Sequence, residues 1–130
     1  MKFLLVDDSR TMRNIQKNVL KTLGEITFVE AGDGGEGLTA IAAESGGFTM
    51  MLVDWNMPNM DGLTMIRRVR ERDKTTPIIM VTTEAEKARI IEAIKSGVNN
   101  YVIKPFTPES LLDRVKQTLD KAKPAAAVAA

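Results

Sequence analysis

Short apolar runs alternate with longer amphipathic segments along almost the whole chain. Five runs rich in Val, Ile, Leu, Phe and Met predict β-strands near residues 2–7, 26–31, 48–54, 77–82 and 100–104. Alternating strands and helices predict a parallel sheet, because right-handed crossovers lay each helix against one of its faces. The chain is therefore expected to form one α/β domain, a three-layer sandwich in which helices cover both faces of a five-stranded parallel sheet.

The segments between the strands carry apolar residues at the spacing of a helix. The five predicted stripes are Met12, Ile15, Val19, Leu20 and Leu23; Leu38, Ile41 and Ala42; Leu63, Ile66 and Val69; Ile90, Ile91 and Ile94; and Leu111, Leu112, Val115 and Leu119. We expect these side chains to face the sheet. Gly24 and Gly97 follow the first and fourth stripes, where a left-handed residue commonly closes a helix.

Length and composition exclude several classes of function. A chain of 130 residues with 18 basic and 17 acidic side chains fits a single domain and lacks the basic surface of a nucleic-acid binder. It contains no cysteine and no histidine, so acid–base or metal chemistry must use carboxylates, hydroxyls or lysines. The first apolar run is too short for a signal peptide, and no stretch reaches transmembrane length. We expect a cytoplasmic protein without membrane insertion.

The amino-acid composition changes after Lys123, where Pro124 is followed by an alanine-rich stretch. Residues 1–123 are therefore predicted to form the domain, and residues 124–130 a disordered tail.

Polar residues follow four of the predicted strands: Asp7 and Asp8, Asp54, Thr82, and Lys104. The carboxyl ends of parallel strands share one edge of the sheet, and ligands bind there. Three carboxylates at one point repel each other by about 4 kcal/mol per close pair at an effective dielectric constant of about 20. Mg²⁺ suits such hard oxygen ligands. Asp7 and Asp8 would otherwise only cap the first helix, which is a common use of aspartate.

Asp54 differs from the other carboxylates because a turn-rich loop follows it, with Asn56, Pro58 and Gly62 at breaking positions. A carboxylate at the mouth of such a loop is accessible enough to attack phosphorus and form an acyl phosphate. Lys104 would supply a cation, and Thr82 and the backbone N–H of Thr83 would supply donors to the phosphoryl oxygens. Each of these residues alone is ordinary at a strand end; their common location favours phosphoryl transfer.

Four motifs in this order resemble the receiver domain of two-component response regulators. They are L-V-D-D-S at residues 5–9, V-D-W-N-M-P-N-M-D-G at 53–62, V-T-T-E-A at 81–85 and Y-V-I-K-P-F at 101–106. The resemblance covers about residues 1–122 and is greatest to the single-domain chemotaxis regulators. It implies a flavodoxin-like (βα)5 fold with strand order 2-1-3-4-5, an order taken from the family.

The resemblance implies a role for each site residue. Asp54 matches the phosphoryl acceptor, and the Mg²⁺ ligands match Asp7, Asp8, Asp54 and the backbone carbonyl of Asn56, with Asp7 acting through water. Lys104 matches the lysine that contacts the acceptor and later the phosphoryl group, with Thr82 and Thr83 as further phosphoryl-binding residues. The bond between Lys104 and Pro105 is expected to be cis.

A switch is also implied. Thr82 and Tyr101 match the hydroxyl and the aromatic that move on phosphorylation, and Asn56 and Glu84 are expected to tune dephosphorylation. Read without the family, Tyr101 would be a half-buried strand aromatic with its hydroxyl in water.

The implied partners are a sensor histidine kinase of the chemotaxis type and a flagellar motor switch protein. The motor protein would bind the face formed by the fourth helix, fifth strand and fifth helix. The chain is expected to be a monomer, and the action of an auxiliary phosphatase is left open. Two positions depart from the chemotaxis pattern: Thr83 stands where a small residue is usual, and Glu86 where lysine is usual. They put in doubt how closely the surface around Lys87 and Arg89 copies a known partner site.

Two alternatives stay open. The chain could be a Mg²⁺-dependent hydrolase with an aspartyl-phosphate intermediate, although such enzymes commonly carry a second aspartate where this chain has Asn56. It could be a phosphorelay receiver outside chemotaxis. Residues 32–37 also match G-x-G-x-x-G, the dinucleotide fingerprint, but after the second strand, so we interpret them as a turn and a helix start. We expect no enzyme activity beyond the chain's own phosphorylation and dephosphorylation.

Overall fold

The computed structural model describes residues 1–122 and contains five strands and five α-helices. The strands are β1 (Lys2–Val6), β2 (Thr27–Ala31), β3 (Met50–Val53), β4 (Ile78–Thr82) and β5 (Asn100–Ile103). The helices are α1 (Arg10–Leu20), α2 (Gly34–Ala43), α3 (Gly62–Arg70), α4 (Lys87–Lys95) and α5 (Pro108–Ala122), and a short 3₁₀ turn, Lys21–Leu23, follows α1. The tail predicted at 124–130 lies outside the described residues, so the domain boundary stays a prediction.

All five strands are parallel and lie in the order β2-β1-β3-β4-β5. The predicted α/β sandwich and its strand order are confirmed. Because the strands run in one direction, the residues that follow β1, β3, β4 and β5 all emerge at the same edge of the sheet. This edge carries the predicted polar cluster.

Alternate residues of the central strands are buried on opposite faces of the sheet. Leu4, Met51 and Met80 belong to the core beneath α2, α3 and α4, whereas Leu5 and Leu52 belong to the core beneath α1 and α5. Burial on both faces explains why the central strands are continuously apolar instead of alternating with polar residues.

The predicted helical stripes are partly wrong. Ile15 of α1 and Ile91 and Ile94 of α4 are 42%, 44% and 47% exposed, whereas Gln16 is buried. A helix that lies on a sheet buries only a narrow strip, and the apolar residues of these two helices cover a wider arc than that strip. Among the other stripes, Ala42 is also exposed.

Both predicted closing glycines have positive φ angles. Gly97 has φ +112° just after α4. Gly24 has φ +134° and ψ −158°, so it lies outside the left-handed helical region and ends the 3₁₀ turn instead of the α-helix.

Within residues 1–122, every helix is too short or too polar to cross a membrane.

Candidate functional site

Three carboxylates meet at the carboxyl edge of the sheet. Asp7 and Asp8 follow β1, and Asp54 follows β3, which is the neighbouring strand. One carboxylate oxygen from each residue lies within 4.8 Å of the others. Asp7 and Asp54 are buried, while Asp8 is exposed, so the cluster opens to solvent on one side. These oxygens are of the kind that Mg²⁺ prefers, and they could hold such an ion.

Lys104 joins two of the three carboxylates from the end of β5. Its Nζ donates to Asp7 Oδ2 at 2.7 Å and to Asp54 Oδ2 at 3.0 Å. Burial lowers the pKa of Lys104, but the hydrogen bonds that its ammonium donates to Asp7 and Asp54 outweigh burial and leave that pKa above its ordinary value. One ammonium cannot balance three formal negative charges. The site therefore keeps an attraction for a further cation.

Asp7 and Asp54 are held in place by the backbone that follows each of them. Asp7 Oδ1 accepts from the N–H of Ser9 at 2.9 Å, and Asp54 Oδ1 accepts from the N–H of Trp55 at 2.7 Å. Asp7 is therefore more than a helix cap, because Ser9 caps α1 by accepting from the N–H of Met12. Each carboxylate has one oxygen on the backbone and the other on Lys104.

Thr82 lies at the end of β4, next to β5 and Lys104. It is fully buried, and its carbonyl accepts from the N–H of Lys104 at 2.9 Å. Its hydroxyl accepts from the N–H of Glu84 at 3.4 Å, a long contact. Thr83 follows the strand and is exposed. The structure thus brings Thr82 and Thr83 to the same edge as the carboxylates; their roles remain predictions.

The loops after β3 and β4 contact each other through Asn56 and Glu84. Asn56 Nδ2 donates to Glu84 Oε1 at 3.0 Å. The backbone carbonyl of Glu84 accepts from the Tyr101 hydroxyl at 2.7 Å. The expectation that this hydroxyl lies in water is wrong, because Tyr101 is only 8% exposed. The curled loop after β4 brings a carbonyl within reach of β5, which no spacing in the sequence indicates.

The environment of Tyr101 disfavours ionisation. Burial raises the pKa of Tyr101 to about 12, and the charges of Glu84 and Asp54 add to this effect while Arg89 opposes it. The phenol therefore remains a hydrogen-bond donor throughout the physiological range.

Arg89 is a part of the site that the sequence analysis did not identify. Its guanidinium carbon lies 5.2 Å from the centroid of the Trp55 ring, a distance that permits a cation–π contact. Trp55 is 4% exposed and adjoins Asp54, so this contact joins α4 to the loop after Asp54. The only signal in the sequence is a basic residue in the first turn of a helix, which is too common to be informative.

The loop after Asp54 returns close to the strand that precedes it. A Cβ at Gly62 would lie 1.9 Å from the carbonyl oxygen of Asp54, so only glycine fits there. On the other side of the loop, Asn59 Nδ2 donates to Asp33 Oδ2 at 2.9 Å, and Asn59 itself has φ +65°. Gly62 is a predicted turn residue, whereas nothing in the sequence indicates the contact between Asp33 and Asn59.

The G-x-G-x-x-G match at 32–37 is explained by packing and capping. Asp33 caps α2 by accepting from the N–H of Glu36 at 2.8 Å. A Cβ at Gly34 would lie 2.9 Å from the Met60 carbonyl, and one at Gly37 would lie 2.8 Å from Met65. These glycines let α2 approach α3 and the loop after Asp54. The interpretation as a turn and a helix start is confirmed, as is the cis peptide bond between Lys104 and Pro105.

Comparison with known proteins agrees with this geometry. Residues 3–116 match the family described as the response regulator receiver domain. The chain is 47% identical over 121 residues to the chemotaxis protein CheY1 of Helicobacter pylori, an alignment that covers 92% of this chain and 97% of the relative. It is 46% identical over 123 residues to CheY of Pseudomonas aeruginosa, covering 93% of this chain and 98% of that one.

Solved structures show the same likeness. Chemotaxis protein CheY4 of Vibrio cholerae superposes with a TM-score of 0.81 at 34% identity, covering 90% of this chain and 97% of that one. A CheY-like receiver domain from Methanospirillum hungatei gives a TM-score of 0.84 at 29% identity, covering 93% of this chain and 94% of that one. A family match that spans nearly all the described residues, together with relatives aligned over almost their whole length, places the chain in the response regulator receiver domain family.

Proposed function

We propose that this chain is a phosphorylation-activated response regulator whose acceptor is Asp54 and whose cofactor is Mg²⁺. The observation that carries the proposal is the position of Lys104, with its ammonium between Asp7 and Asp54 beside a third carboxylate, Asp8. This arrangement offers a nucleophile, a fixed cation and a site for a divalent ion within a few ångströms. Phosphoryl transfer requires mainly that combination of positioning and charge neutralisation.

In the proposed reaction, Asp54 accepts a phosphoryl group from the phosphohistidine of a sensor histidine kinase. A carboxylate oxygen of Asp54 forms a bond to phosphorus, the bond between phosphorus and the histidine nitrogen breaks, and its electron pair stays on the imidazole. Asp7, Asp8, Asp54 and the carbonyl of Asn56 would hold Mg²⁺, which supplies charge neutralisation for the phosphoryl oxygens. Lys104 moves from the acceptor carboxylate to a phosphoryl oxygen, and Thr82 and Thr83 donate to the others.

The new dianion would act on a segment that already links the site to β5. Thr82 is bonded through its hydroxyl to the N–H of Glu84, and the carbonyl of Glu84 holds Tyr101. If the Thr82 hydroxyl turns to a phosphoryl oxygen, its bond to Glu84 is lost and the loop after β4 is free to move. The phosphoryl group thereby biases an element that can adopt two positions.

The output partner is proposed from the relatives. Curated relatives with up to 47% identity are chemotaxis proteins, so we propose a chemotaxis kinase as the donor and a flagellar motor switch protein as the target. The target would bind the face of α4, β5 and α5. Asn56 and Glu84, which contact each other at 3.0 Å, would limit the approach of water and so set the rate of dephosphorylation.

A hydrolase acting on external substrates is less well supported. It needs a proton donor next to the nucleophile, and the residue two positions after Asp54 is an amide, Asn56, whose Nδ2 is bonded to Glu84. We therefore propose that the chain catalyses only its own phosphorylation and dephosphorylation.

Intact-mass measurement tests the proposal. The purified chain is incubated with Mg²⁺ and acetyl phosphate, and we expect the gain of one phosphoryl group that is lost in Asp54→Asn. Asp61→Asn is the matched control, because Asp61 lies in the same loop and asparagine still caps a helix. Continuous turnover of unrelated phosphate esters, or phosphorylation of Asp54→Asn equal to that of the unchanged chain, would contradict the proposal.

Magnesium binding has an independent readout in Trp55, the only tryptophan of the chain. Trp55 adjoins Asp54 and carries Arg89 over its ring, so its fluorescence should change on titration with Mg²⁺ and not with Na⁺ at the same ionic strength. A flat magnesium titration would count against the proposed metal site.

A further inference from the structure

A groove between α3 and α4 lies away from the strand-end site and has no role in the proposed phosphorylation. It encloses about 810 Å³. Arg67 and Arg70 of α3 and Lys74 just beyond it line one wall, and Ile91, Glu92 and Lys95 of α4 line the other. We call this feature the α3–α4 groove.

The groove exposes an apolar side chain that the fold does not use. Ile91 is 44% exposed, and Ala88, one turn before it on the same helix face, is exposed as well. An exposed isoleucine bordered by charged residues has the composition of a small docking site, in which an apolar centre is surrounded by a polar rim.

Some of the charged side chains around Ile91 are paired with an opposite charge, and others are not. Arg67 is paired with Glu92 at 3.4 Å and also contacts Ser96, so this pair is neutralised. Lys74 has only a long contact of 3.4 Å to a backbone carbonyl. Among residues 1–122, the side chains of Lys95 and Glu71 make no hydrogen bond and no ion pair. Two ammonium groups therefore face one carboxylate, and the groove favours an acidic ligand.

The groove is held open by contacts that do not involve a ligand. Arg70 donates to the carbonyls of Asp73, Thr76 and Gly97 at 2.9, 2.8 and 3.0 Å, which fixes the end of α3 against the end of α4. Because the Arg70 guanidinium is bonded to these carbonyls, it adds positive charge to the groove but has few N–H groups left to donate to a ligand. A preformed groove loses little entropy on binding, which favours a short ligand.

We propose that the α3–α4 groove binds a short acidic, amphipathic segment of a protein partner. An aliphatic side chain of that segment would contact Ile91, and its carboxylates would pair with Lys74 and Lys95. A nucleic acid fits less well, because the lining has two carboxylates and no aromatic ring on which a base could stack. The groove uses the α3 side of α4, so binding there requires neither phosphorylation nor Mg²⁺.

A synthetic helical peptide tests this proposal, with leucines along one face and glutamates along the other. The peptide is titrated into the unphosphorylated, ¹⁵N-labelled full chain while the amide resonances are followed. We expect saturable shifts clustered at the residues of the α3–α4 groove. Lys95→Glu should weaken binding about tenfold at low salt. Lys21→Glu, which changes an exposed lysine in the 3₁₀ turn after α1, should leave the affinity unchanged.

The apolar contact has a matched pair of variants. Ile91 and Ile15 are 44% and 42% exposed, but only Ile91 lines the groove. Ile91→Asp should abolish peptide binding and Ile15→Asp, on α1, should not. The proposal is overturned by any of four outcomes: no saturable binding, shifts that map to another face, equal binding of a peptide with lysines in place of the glutamates, or tighter binding of an oligonucleotide to the groove.

Discussion

Lys104 shows how a single residue sets the charge of the site. Its ammonium bonds two carboxylates from different strands, Asp7 at 2.7 Å and Asp54 at 3.0 Å. Both acids are buried, and removing one partner of such a contact leaves the other charges uncompensated. In a metal-free protein Lys104 is therefore the cation that lets β1 and β3 end side by side.

Lys104→Met is expected to bind Mg²⁺ more tightly and to accept a phosphoryl group more slowly. The substitution removes a positive charge from the carboxylates, so the affinity for Mg²⁺ should rise by about tenfold, or about 1.4 kcal/mol. Isothermal titration calorimetry measures the affinity, and mass spectrometry with acetyl phosphate measures phosphorylation. Lys116→Met is the control for loss of one charge. An unchanged or weaker magnesium affinity would show that Lys104 does not oppose the cation.

Tyr101 is expected to titrate as a buried phenol. It is the only tyrosine in the chain, so the ultraviolet absorbance of tyrosinate reports it alone, and its pKa is raised from 10.0 to about 12. Because the folded pKa is the higher one, this group stabilises the fold fully below pH 10 and progressively less as the pH rises towards 12.

Denaturant unfolding at several alkaline pH values measures this loss. Tyr101→Phe should lose less stability between pH 10 and 12 than the unchanged chain, since phenylalanine does not ionise. Some loss should remain in the variant, because the pKa of Lys104 is also raised and its contribution falls in the same direction. A phenol that titrates near 10 in the folded chain would contradict the burial of Tyr101.

At the scale of the residue, the sequence identified the groups of the site but not all their contacts. The strand-end positions of Asp7, Asp54 and Lys104 follow from the apolar runs before them and from the parallel sheet. The bond from Tyr101 to the carbonyl of Glu84 and the stacking of Arg89 on Trp55 depend on how a loop curls and which rotamer an arginine adopts. Neither property leaves a pattern in the order of residues.

The helices differ in how their N-termini are satisfied. Ser9, Asp33 and Asp61 cap α1, α2 and α3 with side-chain oxygens that accept a backbone N–H at 3.1, 2.8 and 2.8 Å. Glu86 is the N-cap residue of α4 and makes no side-chain capping bond. The first turn of α4 is therefore less firmly fixed by its own sequence than those of α1, α2 and α3. The loop between β4 and α4, which must move in the proposed switch, directly precedes this turn.

Asp61→Ala is expected to destabilise the chain by about 1 kcal/mol, which is typical of the loss of a helix N-cap. Glu86→Ala is the matched control and should cost much less, because no capping bond is lost. Urea unfolding in the absence of Mg²⁺ measures both. If the two substitutions destabilise the chain equally, the capping bond of Asp61 does not contribute to its stability.

At the scale of the element, the hydrophobic periods predict the helices correctly but not always their buried faces. In α3, Leu63, Ile66 and Val69 are all buried as predicted. In α4 the apolar residues cover too wide an arc: Ala93 and Ile90 pack on the core, while Ile91 lines the groove with α3. A hydrophobic stripe cannot distinguish a side chain that contacts the core from one that lines an exposed surface.

Different interactions hold the structure together at the two ends of the parallel strands. At the carboxyl edge, Lys104 joins strand ends by charge. At the opposite edge, Arg70 donates to the carbonyls of Thr76 and Gly97 and to Asn99 Oδ1, which also accepts from the N–H of Ile78 at 2.8 Å. The second network fixes the C-terminal end of α4, so any motion of this helix driven from the proposed phosphorylation site should be a pivot about that end.

The closeness of Gly97 to Arg70 allows this network to be broken without changing its charges. A Cβ at Gly97 would lie 2.6 Å from Arg70 Cγ, and the residue also has φ +112°. Gly97→Ala is therefore expected to combine backbone strain with a displaced Arg70, at a total cost of about 2 to 4 kcal/mol. Arg70 is half-buried, and a displaced side chain would lose its bonds to the carbonyls of Gly97 and Thr76.

Gly24→Ala separates backbone strain from the displacement of a neighbouring side chain. Gly24 has φ +134° but nothing within 4 Å of an added Cβ. Urea unfolding should show a larger loss of stability for Gly97→Ala than for Gly24→Ala, and the difference measures the Arg70 network. Amide hydrogen exchange should also rise in α4 and at the start of β4 only in Gly97→Ala, since those are the segments that Arg70 and Asn99 connect. If the two variants lose equal stability and exchange in α4 is unchanged, Arg70 does not anchor this helix and the pivot has no fixed end.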